Sequence, residues 1–437
     1  MARLVAVPAL TALTQLGTPA AQAVSPPKID DRWLPRPALP APPWPTVQRA
    51  TCEPIAAATE EPGQNQPAPV ADLPQLWQLT RGTGQRVAVI DTGVSRHRRL
   101  PDLIPGGDFV STGDGTQDCD AHGTLVAGIV AASADPHRQG FGGVAPEATV
   151  ISIRQSSAKF APARDRSQTG VGDVDTMAKA VRTAADLGAS VINISSVACV
   201  PVASVLDDRA LGAALAYAVD IKNAVVVAPA GNTGGNTGGA AQCPPQRPDA
   251  TWDTATVAVS PAWYDDYVLT VGSVNADGMP SPFTLAGPWV DVAAPGEGVT
   301  SLGSRPVSGT SYAAPVVSGL VALVRARFPA LTARQVMQRI ESTAHHPPAG
   351  RDPLVGNGTI DALAAVSTDW SPPARASGTA PIPLPVTAPA PAPPPAPHAR
   401  NTALRGAAGC LLALVMALTI GAATSRSRRT RDGVPGD

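Results

Sequence analysis

The sequence predicts an α/β fold: a doubly wound, mostly parallel sheet with helices on both faces. Three observations carry that expectation. Short, nearly continuous apolar runs such as Arg86-Val87-Ala88-Val89-Ile90 and Thr149-Val150-Ile151-Ser152-Ile153 lack alternation, as strands buried on both faces require. Stretches of helical spacing separate these runs. Two of the runs end on a polar group at a glycine turn, Asp91-Thr92-Gly93 and Gly231-Asn232, which puts those groups at the strand ends where open α/β sheets place their working residues.

The elements follow in order. A short helix over Leu73–Leu79 precedes the strand that ends at Asp91. His122 heads a run of small apolar residues through Ala132, a helix slim enough to lie on the sheet. The strand Thr149–Ile153 is followed by Gln155 to Asp173, which carries Lys159, Arg164, Asp165 and Arg166 and reads as a mobile polar loop at a cleft rim. Helical spacing returns at Val174–Leu187, then a strand at Ser190–Ser196, a helix at Leu206–Lys222 and a strand from Asn223 into Asn232. Strands at Tyr267–Val274 and Val290–Ala294 lead to a long helix over Ser311–Phe328 and a last one over Thr332–Thr343. Together these place one domain at residues 71–366 of the 437.

Both flanks differ in composition. Residues 1–23 have the layout of an export signal: Arg3, the apolar stretch Leu4 to Leu16, and Ala21-Gln22-Ala23 at the cleavage position. Residues 24–70 are so dense in proline that they cannot hold the helix and sheet ladder of an independently folding unit, which predicts an extended arm laid over the domain. Residues 367–405 form a Pro/Ala-rich spacer. Residues 406–424 carry no charge and, as a helix, reach roughly 28 Å, the thickness of a bilayer core. Arg426, Arg428, Arg429 and Arg431 in the tail 425–437 put the C-terminus in the cytoplasm and the domain outside, in a single pass through the cell membrane. The formal net charge of −1 and scarce aromatics give no sign of a nucleic-acid partner.

The chemistry centres on Gly309-Thr310-Ser311-Tyr312-Ala313-Ala314-Pro315. Small residues closed by a proline, read as lying in the first helical turn, present Ser311 Oγ at a helix N-terminus, where free N–H groups favour a developing oxyanion. Serine alone is a weak nucleophile and needs a base and an orienter. His122 and Asp91 supply them, the imidazole as general base then acid and the carboxylate as orienter. Asp120, His97, His137, His345, His346 and Ser308 lie in polar or proline-flanked loops and read as surface or loop residues. No cofactor is expected, and no metal, because neither a Cys-x-x-Cys pair nor a compact acidic loop occurs.

Of the five cysteines, Cys410 falls in the apolar span, where it packs. Cys52, Cys119, Cys199 and Cys243 fall in the exported region, an even number that implies two bridges with three possible pairings. Cys52 with Cys119 and Cys199 with Cys243 is the preferred set, the first pinning the arm beside His122 and the second bracing loops around Asn232.

Asp, His and Ser in this order and these local contexts resemble the subtilisin-like serine proteases. The resemblance implies that the Asn232 side chain donates to the oxyanion beside the Ser311 backbone N–H. It also implies that Ser195, Ser196 and Gly231 border the substrate pocket, where many subtilisins have Ser-Leu-Gly-Gly and this chain has Ser195-Ser196-Val197-Ala198, a bulkier wall. With its signal, cysteine-bearing arm, spacer and anchor, the chain resembles the mycosins, membrane-anchored proteases associated with type VII secretion. That likeness implies endoproteolysis of proteins exported by the system and a part in stabilising the membrane secretion complex. The arm, the polar loop and the anchor also fit a mainly structural component whose proteolysis is dispensable, and a general cell-surface protease is a third reading.

Overall fold

The computed structural model describes residues 24–54, 70, 73–133, 141–165, 167–204, 206–234, 242–303, 305–367 and 416. The chain divides into two units, residues 1–372 and 373–437, and the elements below lie in the first. The signal stretch, residues 55–69, the spacer from 368 on, the span 406–424 apart from Met416 and the tail 425–437 fall outside the described residues. Among the described residues no helix is long and apolar enough to cross a membrane.

In chain order the elements begin with β1 (Thr46–Gln48), α1 (Leu73–Leu79), β2 (Arg86–Asp91), β3 (Leu103–Asp108), α2 (His122–Ala131) and β4 (Thr149–Arg154). Then come β5 (Phe160–Pro162), α3 (Val174–Asp186), β6 (Val191–Ile194), β7 (Ala198–Pro201), α4 (Arg209–Ala216) and β8 (Val225–Pro229). The domain closes with β9 (Val257–Ser260), β10 (Val268–Val274), β11 (Val292–Pro295), α5 (Thr310–Arg327), α6 (Ala333–Thr343) and α7 (Ala362–Ser367). Seven strands make one sheet in the order β11-β10-β8-β6-β2-β4-β3, every neighbouring pair parallel. The chain lays β4 on one side of β2 and β6 on the other, so the order reverses beside β2, and a crevice opens at its carboxyl end.

Patterning explains which helix goes where. α2 and α5 are apolar around their whole circumference and lie buried together on the sheet. α3 and α6 are amphipathic, start in capping boxes (Asp173 with Thr176, Thr332 with Gln335), and keep one face to solvent. α3 and α4 form a second helix layer.

Strand β3 escapes a reading by apolar runs because Pro105-Gly106-Gly107 interrupts it. It is the edge strand, with its register shifting between Pro105 and Gly107, where a missing N–H and an irregular ladder are tolerated.

The described part of the arm, residues 24–54, is extended apart from one 3-10 turn at Asp31–Trp33, and it is held at several points. Val24 is buried and its N–H donates to Trp252 O at 2.8 Å. Trp33 lies 3.8 Å beneath the Arg209 guanidinium, and Arg182 Nη1 donates to Pro35 O. β1 then pairs antiparallel with β5.

That pairing corrects the expectation of a mobile loop for the first half of the stretch 155–173, residues 155–162. Gln155 is buried and donates to Asp173 O and Thr176 Oγ1, Ser157 is buried, and Ala161 is closed off between arm and domain. Gln155 and Ser157 satisfy backbone and side-chain partners rather than water, so composition alone misplaced this half of the segment, whereas Arg164, Asp165, Ser167, Gln168 and Thr169 are exposed as expected. Asp120 is likewise not a solvated rim residue, since it accepts from Ser157 Oγ and Ala158 N.

Candidate active site

Three elements deliver three side chains to the crevice. β2 ends on Asp91, which is 3% exposed and whose Oδ1 accepts from Thr92 N and faces His122 Nδ1, each at 2.7 Å. His122 opens α2. The residue before it, Ala121, has φ 65°, a left-handed conformation that costs a non-glycine residue on the order of 1 kcal/mol. Next comes Gly123, where a Cβ would run into the Gly93 carbonyl and the Asp91 side chain. Only glycine lets the histidine helix approach the aspartate strand this closely. His122 Nε2 stands 3.0 Å from Ser311 Oγ, completing an Asp91–His122–Ser311 chain.

Ser311 is the second residue of α5, after Gly309 at φ 153° and Thr310. Pro315 therefore sits in the second turn of the helix and not the first. Having no N–H, it cannot bond back to the Ser311 carbonyl as a helical residue would.

The imidazole is partly open to solvent at its edge and packs 4.9 Å from the Tyr312 ring. Desolvation opposes its protonation, but the Asp91 carboxylate, through its charge and its hydrogen bond, with Asp118 and Asp120 adding, outweighs that and raises the His122 pKa.

Asn232 lies beyond the end of β8. Its Oδ1 accepts from Thr310 N and Thr310 Oγ1, both at 2.9 Å, so its Nδ2 is free to face the space over Gly309. A Cβ placed on Gly309 would lie 3.3 Å from Ser311 Oγ and 3.6 Å from Asn232 Nδ2, so both atoms border one small space.

The residues expected to border the substrate divide. The Ser195 hydroxyl is turned into the core, where it accepts from Asn193 Nδ2, whose Oδ1 takes Ser318 Oγ of α5. Ser196 lines a cavity of about 120 Å³ with Val197, Ala198, Gly172, Met177 and Leu211. Gly231, at φ 104°, backs onto Cys243 Sγ and Val197. The cysteines pair as Cys52–Cys119 and Cys199–Cys243, with Cα separations of 4.3 and 5.2 Å.

Sequence reasoning weighed Asp120 and passed over Asp118. Asp118 accepts from Thr92 Oγ1, Asp120 N, Thr124 N and Thr124 Oγ1, directly behind the triad. The available signal was an aspartate close before a helix start with a threonine in the first turn, which is capping chemistry.

Residues 82–358 match the family model described as the subtilase family. Mycosin-4 of Mycobacterium tuberculosis (strain ATCC 25618 / H37Rv) is 66% identical over 457 residues, covering 100% of this chain and 98% of that protein. The chain belongs to the mycosins, within the subtilase family. The MycP3 protease from the type VII (ESX-3) secretion system superposes on this mycosin with a TM-score of 0.71 at 42% identity, covering 79% of this chain and 100% of that one. A chain in the structure of an intact ESX-5 inner membrane complex matches with a TM-score of 0.71 at 40% identity over 92% of this chain and 100% of that one. As a mycosin the protein is a subtilisin-like serine endopeptidase on an α/β fold with a parallel sheet.

Proposed function

We propose that Ser311 is the nucleophile, His122 the general base then acid, Asp91 its orienter and Asn232 an oxyanion donor in peptide-bond hydrolysis. The observation that carries this is the unbroken chain from Asp91 Oδ1 through His122 to Ser311 Oγ, at 2.7 and 3.0 Å. Asp91 fixes the tautomer that leaves Nε2 free to take the serine proton, and Oγ then attacks the scissile carbonyl. The oxyanion develops at the start of α5, where backbone N–H groups and Asn232 Nδ2 meet it. His122 returns the proton to the leaving amine, and a water it deprotonates next frees the acyl-enzyme.

The substrate lies against Ser196, Val197 and Gly231, with Ser195 supporting that wall from the core. The bulk of Val197 and of the Cys199–Cys243 bridge narrows the pocket before the cleaved bond. The partners are proteins exported by a type VII secretion system and its membrane complex. The domain stands outside the membrane on a single C-terminal helix at 406–424, behind a signal at 1–23, and the arm 24–70 stays attached. Support comes from the likeness to chains named for such systems, one of them in an intact inner membrane complex.

A second role as an assembly component is favoured by the arm, which is paired and bridged to the domain rather than laid loosely on it. One experiment tests both roles: secretion by a strain lacking this gene, complemented with wild type or Ser311→Ala. Export restored with exported proteins left uncut gives two separable roles, and cleavage retained by the variant overturns the assignment of Ser311.

A further inference from the structure

We propose that Asp118 is a positioning residue for His122, a second carboxylate that locks the two elements of the Asp91–His122 pair together. The proposal rests on the triad reading above. Its basis is the closed set of bonds around one carboxylate. Oδ1 accepts from Thr92 Oγ1 at 2.9 Å and from Asp120 N at 3.1 Å. Oδ2 accepts from Thr124 N at 2.9 Å and Thr124 Oγ1 at 2.7 Å. Thr92 follows Asp91 at the end of β2, and its Oγ1 in turn accepts from Gly123 N at 2.9 Å, one residue past His122. Thr124 Oγ1 also accepts from Ser95 N at 2.9 Å.

Strand end and helix start, which present the two partners of a single 2.7 Å hydrogen bond, are thus both tied to Asp118 and through it to each other. A carboxylate is required for this. Four donors converge on it, two on each oxygen, and an amide offers one acceptor oxygen and turns an NH2 towards the rest.

The neighbours of Asp118 complete the placement. Cys119 is bridged to Cys52 of the arm, and Asp120 accepts from Ser157 Oγ and Ala158 N across the cleft edge. Three consecutive residues therefore anchor the turn to the strand, the arm and the 155–173 segment. Ala121 alone then bends into the left-handed region to present His122.

The groups facing His122 are Asp91 from β2, Asp118 and Asp120 from its own turn, and Ser311 and Tyr312 from α5. Beyond Asp120, Lys159 pairs with Glu53 at 2.7 Å. Burial raises the Asp118 carboxyl above the ordinary carboxylate range, and its bonds from Thr124 and Thr92 hold that rise back. Asp118 contributes, after Asp91, to the raised His122 pKa.

The test is Asp118→Asn in the full chain, with kcat, KM and the pH dependence of kcat/KM measured on a peptide substrate. The expected result is a kcat lower by about tenfold, a fraction of what a general base contributes, with KM little changed. The acid limb of kcat/KM moves to lower pH, because removing a negative charge beside an imidazole lowers its pKa. Thr92→Val is measured alongside. It cuts the link to the strand but keeps the carboxylate, so kcat falls while the acid limb stays, and it carries the test should Asp118→Asn not fold. A folded Asp118→Asn enzyme with the wild-type acid limb overturns the proposal, whatever its kcat; so does a Thr92→Val enzyme with wild-type kcat. Labelling by a fluorophosphonate probe separates this from the triad reading. If wild type is labelled and Ser311→Ala is not, that reading stands and a null result counts against Asp118 alone; labelling of Ser311→Ala sinks the triad reading itself.

Discussion

Removing the Cys52–Cys119 bridge by a double Cys→Ala replacement tests how the arm is held. The bridge spans 67 residues of sequence, and closing a loop of that length in the unfolded chain costs about 4 kcal/mol of conformational freedom at 25 °C. The other ties of this part of the arm are weaker. They include the three-residue pairing of β1 with β5, backbone bonds from Arg49 N to Lys159 O, Glu53 N to Cys119 O and Ala163 N to Pro45 O, the Thr46 hydroxyl on Val110 O, and the Lys159–Glu53 ion pair. Glu53 is 61% exposed in that pair, a setting where an ion pair contributes about 0.2–1 kcal/mol. The covalent tie therefore dominates. For a domain of this size, a loss of about 4 kcal/mol lowers the melting temperature by roughly 6 °C. The assay is thermal and denaturant unfolding of the double variant in a Ser311→Ala background, which prevents self-digestion of unfolded chains. Well below the transition, turnover of the double variant with Ser311 intact stays near wild type, because the bonds of His122 to Asp91 and of Gly123 to Thr92 do not pass through Cys119. A melting temperature unchanged within about 1 °C refutes the reasoning, because that shift corresponds to less than about 1 kcal/mol.

Further outcomes follow from other parts of the site. Asn232→Ala lowers kcat by about 10²–10³-fold with KM little affected, the cost of one oxyanion donor; an unchanged kcat removes Asn232 from that role. Val197→Gly opens the wall beside Gly231 and the Cys199–Cys243 bridge, so large residues before the cleaved bond gain in kcat/KM relative to small ones, as a peptide library reads directly. Because cleavage needs neutral imidazole and the His122 pKa is raised, the acid limb of wild-type kcat/KM lies above the ordinary imidazole value of about 6.5. Glu341 is pushed up to about 7, chiefly by burial, with Arg351 opposing and Asp265 adding. The folded state thus holds this proton more tightly than the unfolded one, and stability falls as pH rises from the ordinary carboxyl value towards 7. Glu341→Gln removes that loss, so the variant gains on wild type at pH 8 relative to pH 5 in denaturant unfolding.

Much of the fold was legible because burial on both faces writes itself into composition. β2 up to Asp91 and β8 are continuous apolar runs in the sequence, β10 is one broken only by Thr270 and Ser273, and all three are fully enclosed strands in the sheet, apart from Arg86 at the start of β2. β3 was not legible, since an edge strand tolerates the proline and glycines that break such a pattern. β1 and β5 are three-residue strands, too short for periodicity to register, and they exist only because arm and domain meet. Residues 155–162 failed for a related reason: polar composition predicts solvent, but polar groups are also what satisfies the backbone of an irregular segment packed on an arm.

The sequence by itself pointed to the groups proposed as catalytic, because each sits in a local pattern that needs no distant partner: an acid after a buried strand, an imidazole before a helix of small residues, a serine after a glycine turn. It also determined that four exported cysteines would pair, with a preference among the three pairings. Only the tertiary structure decided how the groups are held. Asp118 has no local pattern beyond a helix cap. Its part depends on Thr92, 26 residues away on another element, meeting it at 2.9 Å. The orientation of Asn232 likewise depends on Thr310, 78 residues away. Local sequence specifies chemistry through residue type and backbone preference, whereas the angle and charge environment of a side chain come from donors and carboxylates that only folding brings within hydrogen-bond distance.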